Sequence, residues 1–380
     1  MASITSDGRF VLELREEKGR KAAAGDTAAS SDKKKGKVSR ADLALFTRRL
    51  ADLSLAGLPL DRVLQVIAEQ TESAQLAFVA EEALEEVRGG LPVSEALAKH
   101  PKLFPQVFAL TLKAGEASGQ FGEVAERLAD FQEKEVARRS QVVSALIYPG
   151  VLATVAVGVV IFMLTFVVPK LSSVFDSLGN DLPSATKMLL ALTGFLTSQY
   201  IFIIGGLVGL FFLYRGWAAT DAGSYSRDKA LLTLPVIGPV IRKATVSRYA
   251  RVLGTLLFGG VPILEALNLS GLAAGNRLFQ VSSDEIVQRV REGAPIAEAM
   301  RDTSAFPPVL THMVAIGEET GDLPKMLNRV SDSLDFEVDN GMRRLVALVE
   351  PVIVLGMGVV VGFVVLAVLL PIFAAQSAVK

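Results

Sequence analysis

Apolar positions along this 380-residue chain follow two patterns. In the first, charge disappears altogether: between Arg139 and Lys170, between Lys187 and Arg215, and from Glu350 to the final Lys380. The cores of these runs read GVLATVAVGVVIFMLTFVV, GFLTSQYIFIIGGLVGLFFLY and PVIVLGMGVVVGFVVLAVLLPIF. About 20 mainly apolar residues in a helix cross the hydrocarbon of a bilayer, so each run predicts a transmembrane helix. The alternative is a helix buried in a large soluble core, and three runs without a polar face argue against it. A shorter apolar piece over 230–241 holds two prolines and reads as a linker or an interfacial element.

In the second pattern apolar residues recur at helical spacing, as at Leu53, Leu60, Val63, Leu64 and Ile67, which suits the helices of a compact bundle. Caps and breakers set their bounds. Ser39 opens a helix running to Gly57, Pro59 stands in the first turn of a second, and Ser73 opens a third that stops before Gly89 and Gly90. A short helix follows from Pro92, another from Pro105 to about Ala117, and a sixth from about Gln120. Nothing breaks the pattern between Phe131 and Tyr148, so the sixth helix is expected to run on into the first span.

The same writing then returns. FTRRLADLSLAGLPLDRVL from Phe46 aligns with YARVLGTLLFGGVPILEAL from Tyr249, and RGGLPVSEAL from Arg88 aligns with REGAPIAEAM from Arg291. Phe104-Pro105 meets Phe306-Pro307, and Gly115, Glu116 and Gly119 meet Gly317, Glu318 and Gly321. Tyr148-Pro149 meets Glu350-Pro351, and Pro169 meets Pro371. A unit of helical bundle plus following membrane helix is read as duplicated. In each Gly-Glu-x-x-Gly stretch the second glycine is expected to end the fifth helix, while the glutamate either caps a helix or is solvated.

The expected architecture is all-α. An N-terminal remnant and flexible basic linker (1–38) leads to a six-helix bundle (39–141) and a transmembrane helix (142–169). A short loop and lead-in (170–193), a second span (194–214) and a linker (215–243) follow. A second six-helix bundle (244–345), a third span (346–373) and a tail (374–380) complete it.

Charge placement orients this arrangement. Arg138 and Arg139 precede the first span, Arg215, Arg227 and Lys229 follow the second, and Arg343 and Arg344 precede the third. Positive charge collects on the cytoplasmic side, so the N-terminus and both bundles are expected in the cytoplasm, with the short loop and the tail across the inner membrane in the periplasm. No apolar run opens the chain, so a cleaved signal peptide is not expected. The small, lysine-rich tract 21–37 reads as a tether, with contact to anionic lipid as the alternative.

Composition removes several functions. Lys plus Arg number 39 against 40 for Asp plus Glu, so there is no overall basic field for nucleic acid. Cysteine is absent, and the two histidines, His100 and His312, lack metal-ligand spacing. No phosphate loop or nucleophile elbow appears, so an enzyme is not expected and energy must come from a partner. No ionisable residue lies within the spans, which argues against a coupled transporter; an oligomeric channel is the alternative of another class. Gly205, Gly209, Gly356, Gly358 and Gly362 read as sites of close helix packing, and Glu350 as the start of a span at headgroup level.

Taken together, the repeated bundle, the Gly-Glu-x-x-Gly turns, the IYP and EP at the heads of spans and the closing LLPIF resemble the inner-membrane platform proteins of bacterial type II secretion and type IV pilus systems. The likeness covers about Ser39 to the C-terminus, and LALFTRRLADL, AEQTE and ERLAD resemble the secretion branch, general secretion pathway protein F. The resemblance implies a non-enzymatic scaffold for pseudopilus assembly and export of folded proteins, with a type IV pilus platform as the alternative. It implies as partners a cytoplasmic assembly ATPase, other inner-membrane secretion components, pseudopilins and further copies of the same chain. It also implies a calcium ion on the first bundle, at positions matching Glu72, Glu126 and Asp130. Glu126 and Asp130 stand four apart on one helix face and oxygen ligands suit a hard cation; a solvated acidic face is the alternative reading. The second repeat has Gly275, Asn328 and Asp332 there, so no second site is expected. Members of the family begin with a longer segment, whose end SDGRFVLELRE resembles.

Overall fold

In the computed structural model, which describes residues 38–163, 166 and 184–378, every element is a helix. The first bundle is built from α1 (Arg40–Leu55), α2 (Leu60–Gln70), α3 (Ala74–Arg88), α4 (Val93–Ala98), α5 (Gln106–Ser118) and the first part of α6 (Phe121–Phe162). Ser39 and Asp42 form a reciprocal capping box, each side chain accepting the other's backbone N–H at 3.0 Å. Pro59, Pro92 and Pro105 each stand one residue before a helix, where a missing N–H costs no ladder bond. Ser73 occupies the cap position of α3 without bonding through its side chain.

Among the described residues three helices follow the first bundle-and-span unit: α7 (Ser184–Ser198), α8 (Tyr200–Ala218) and α9 (Asp221–Thr233). The pattern then repeats from α10 (Gly238–Phe258), the first helix of the second bundle. Next come α11 (Ile263–Ala273), α12 (Arg277–Arg291), α13 (Ile296–Asp302), α14 (Pro308–Thr320) and α15 (Leu323–Ala378). The two cores are organised alike. Phe46 of α1 packs on Phe104 at 5.4 Å between ring centres, and Tyr249 of α10 packs on Phe306 at 4.8 Å. Around the first pair Leu50, Leu64, Ile67, Leu76 and Leu112 are fully buried, and around the second Leu253, Leu256, Phe279 and Leu310.

Residues 221–233, expected within a linker, form a helix that joins the second bundle. Leu232 enters its core, and the buried Asp228 accepts the backbone N–H of Arg277 at the start of α12 at 2.8 Å. The chain then turns by 116° between α9 and α10, around the prolines of the short apolar piece.

The sixth helix of each bundle does not stop at the bundle. α6 runs 42 residues and α15 runs 56, about 60 and about 80 Å at 1.5 Å per residue. Both are long and apolar enough to cross a membrane. Beyond Pro149 and Pro351 their large side chains face outward, among them Val151, Val155, Phe162, Val352, Leu355 and Val359. A surface of that kind is stable against lipid rather than water.

The middle uncharged run departs from expectation. It is not one helix over 194–214 but breaks at the polar pair Ser198 and Gln199, where Gln199 takes φ −112° and ψ 13°. α7 packs on the apolar end of α15 through Leu189, Val364 and Ala367, and the Thr186 hydroxyl donates to the Ala367 carbonyl at 2.6 Å. α8, at 19 residues, is about 28 Å long and exposes Ile201, Leu207, Phe211 and Leu213. The glycines of α8 and α15 also differ from expectation: a Cβ at Gly205, Gly209, Gly356, Gly358 or Gly362 meets nothing within 4 Å, so within one chain they are not packing sites. The N-terminal tether, the loop over 170–183 and the last two residues lie outside the described residues.

Candidate functional site

Each part of the Gly-Glu-x-x-Gly motif has a separate physical task. Gly115 lets α5 approach α6, since a Cβ there lies 3.0 Å from that of Val124 and 3.2 Å from the Phe121 backbone; at Gly317 the Leu323 backbone is 2.8 Å away. Gly119 and Gly321 close α5 and α14 in the left-handed region, at φ 74° and 73°, which a side chain would strain. Between them Glu116 reaches back to the start of α4, accepting the Val93 N–H at 2.7 Å, the Ser94 N–H at 3.1 Å and the Ser94 hydroxyl. Glu318 does the same for α13, from Ile296 at 2.6 Å and Ala297 at 2.9 Å. Of the two readings of these glutamates, capping is the one found.

Neither short helix carries a side-chain cap of its own, so the carboxylate is its N-terminal anchor. Replacing Glu318 by alanine is expected to lower stability by about 1–2 kcal/mol, with glutamine recovering part of it. Thermal melts of the purified protein check this, and unchanged melts for Glu318→Ala would remove the anchor role.

A second repeated device joins the first and sixth helices of each bundle. Arg48 on α1 donates to Asp130 at 2.5 Å and to Glu133 at 2.7 and 2.8 Å on α6. The Glu133 and Asp130 carboxylates hold the Arg48 guanidinium above its usual range, and Arg48 in turn holds Glu133 below the ordinary carboxylate range. All three are exposed enough that the cluster is worth about 0–1 kcal/mol. In the second bundle Arg251 on α10 makes the matching bonds to Asp332 at 2.8 Å and Asp335 at 2.6 Å on α15. Here Arg251 and Asp335 are only 11% and 10% exposed.

That burial comes from the first bundle. α6 lies beside α15 and parallel to it, Lys134 meeting Asp332 at 3.2 Å and, further along both helices, Arg138 meeting Asp335 at 2.6 Å and Asp339 at 3.0 Å. Burial pushes the Asp335 carboxyl up, but bonds from Ser247 and Arg138 and the charges of Arg251 and Arg138 outweigh it and hold it below its usual value. Arg248 of the second bundle answers with Glu135 of the first at 3.0 Å, and Arg127 stacks over the Phe258 ring at 3.7 Å. Val107, Leu110 and Ala114 of α5 pack against the second core. Above this seam lies a cleft of about 720 Å³ with five cations on its wall, Arg40, Lys102, Arg127, Arg248 and Arg251, and one carboxylate, Glu135.

The residues matched to a calcium site are placed otherwise. Glu72, Glu126 and Asp130 are all exposed, and among the described residues no three acidic or histidine side chains gather as a metal-binding group. Asp130 is bonded to Arg48 instead, so as arranged these residues do not fit the ion. The ion clusters themselves were not anticipated, although the repeat carries their signal: Arg48, Asp130 and Glu133 align with Arg251, Asp332 and Asp335.

Comparison with known proteins agrees with this architecture. The family described as type II secretion system (T2SS), protein F, matches residues 46–169 and, separately, residues 249–371. Type IV pilus assembly protein PilC of Thermus thermophilus is 38% identical over 333 residues, covering 87% of this chain and 82% of that protein. Type II secretion system protein F of Aeromonas hydrophila is 36% identical over 341 residues, covering 88% and 86%. The protein of the same name from Vibrio cholerae is 35% identical over 336 residues, covering 88% and 82%. With both bundles and the spans that follow them matched, this membrane-spanning chain belongs to the type II secretion system protein F family.

Proposed function

We propose that this chain is the inner-membrane platform of a type II secretion machine. In this reading both bundles and the N-terminus lie in the cytoplasm and the C-terminus in the periplasm. A cytoplasmic assembly ATPase works on the bundles, and pilin-like subunits are assembled along the spans together with other inner-membrane components, so that folded proteins are exported. The observation that carries the reading is the continuity of α6 and α15: each starts inside a bundle and ends in an apolar, outward-facing segment. A partner that turns a bundle therefore turns a span through one continuous helix, in which Pro149 of α6 and Pro351 of α15 stand at the head of the span.

Deleting the gene and restoring it tests this. Folded exoproteins should accumulate in the periplasm of the deletion strain, and the solubilised chain should copurify with the assembly ATPase of the same cell. Normal export together with no ATPase copurification would end the proposal. A type IV pilus platform is the second reading, favoured by the pilus protein of Thermus thermophilus at 38% identity. Under it the deletion removes surface pili and leaves export intact.

A further inference from the structure

The seam inside the chain joins two unlike faces. The first bundle offers α5 and α6, with Val107, Ala114, Lys134 and Arg138; the second offers α10 and α15, with Arg248, Phe258 and its row of aspartates. Since both bundles have the same order of helices, each also carries the counterpart of the other's face. Those two counterpart faces are open in the single chain.

Their chemistry differs from the seam in one direction. Where the first bundle has Val107, Ala114 and Lys134, the second has Val309, Ile316 and Phe336, exposed by 46%, 44% and 70%. Where the second bundle has Arg248 and Phe258, the first has Leu45 and Leu55, exposed by 48% and 46%. Of the cations that bridge the seam, Lys134, Arg138 and Arg248 are thus replaced by Phe336, Asn340 and Leu45, while Arg127 is matched by Arg329. A solvated face keeps its charges; an exchange to large apolar groups on both halves of a matched pair of faces is the pattern of surfaces that cover each other. Charge supports the match. Asp339, which takes Arg138 across the seam, is replaced by Ala137 on the first bundle, so that face asks for one cation fewer from its partner than the seam does.

We propose that the second bundle of one chain docks on the first bundle of another copy, Phe336 and Ile316 against Leu45 and Leu55, repeating between chains the seam found within one. Because α6 and α15 run parallel across the seam, the same operation keeps the spans of successive copies parallel, as copies sharing one membrane require. The contact is heterologous, head to tail, and does not depend on which machine the chain serves.

The absence of cysteine makes the test direct. Arg248 and Glu135 pair across the seam, and their counterparts are Leu45 and Glu337. Full-length chains carrying Leu45→Cys and Glu337→Cys, with different tags, are coexpressed, and membranes are treated with a short bismaleimide. A crosslinked species bearing both tags is expected, abolished by adding Phe336→Glu to the second chain. Either variant expressed without the other should give at least tenfold less dimer. A single chain with Arg248→Cys and Glu135→Cys should close on itself in every background, which reports intact bundles. No mixed-tag product while that control closes overturns the proposal, and so does equal dimer from Leu45→Cys without its partner, which would mean a symmetric contact.

Discussion

Replacing Asp335 by asparagine is expected to loosen the two bundles from each other and to cost about 3 kcal/mol. The carboxylate is 10% exposed and receives Arg251, Arg138 and Ser247 at once. Removing its charge leaves Arg251, itself 11% exposed, with Asp332, and Arg138 with Asp339. Breaking one partner out of a buried ion pair typically costs about 3–5 kcal/mol, and the remaining aspartates put this case at the low end. Asp130→Asn in the first bundle is the matched control, expected to cost about 1 kcal/mol or less because its cluster faces water. Thermal melts of both variants decide the point; equal effects would mean the seam does not bury Asp335 in solution. The pH dependence follows with its sign. A carboxyl held below its unfolded value stabilises the fold at neutral pH, and that contribution is lost as pH falls through the folded value. The melting temperature of the wild type should therefore hold between pH 7 and about 5 and fall below that, with Asp335→Asn falling less steeply.

The sequence displayed the helices far better than it displayed their contacts. Ser39, the prolines before helices, and Gly119 and Gly321 mark boundaries through local backbone chemistry, so they can be read without a fold. The first long helix was legible because nothing breaks the helical pattern between Phe131 and Tyr148, and Pro149, inside α6, does not end it. Glu116 and Glu318 left two readings open because their partners lie more than 20 residues away, on another helix. The calcium reading took Asp130 with the carboxylate on its own helix face and missed the arginine on α1 that binds it. The break at Gln199 was missed because a hydropathy run reports average polarity, whereas one serine and one glutamine decide where a helix ends. Lys134 and Arg138 resemble any solvated pair of cations until α15 is laid beside them.

Four glycines inserted between Arg344 and Leu345 of α15 are expected to abolish export while leaving the chain inserted, the bundles folded and the ATPase bound. The site lies between the last seam contact, at Asp339, and the head of the span at Pro351. Each glycine disfavours helix by about 1 kcal/mol relative to alanine, and four in a row at a position exposed on most sides outweigh what the flanking turns supply. A swivel replaces a rod, and rotation of the bundle no longer reaches the membrane. Four alanines at the same point lengthen the rod by about 6 Å and a little over one turn, so the span keeps nearly its original facing. That variant should retain most of the export that the glycine variant loses, by a factor of ten or more. Folding is read independently through the seam: the crosslink from Arg248→Cys to Glu135→Cys lies upstream of the insertion and should form in both variants. If the glycine variant exports as the wild type does, continuity between bundle and span is not what carries the work, and the platform must act on its partners through the bundles or the membrane segment separately.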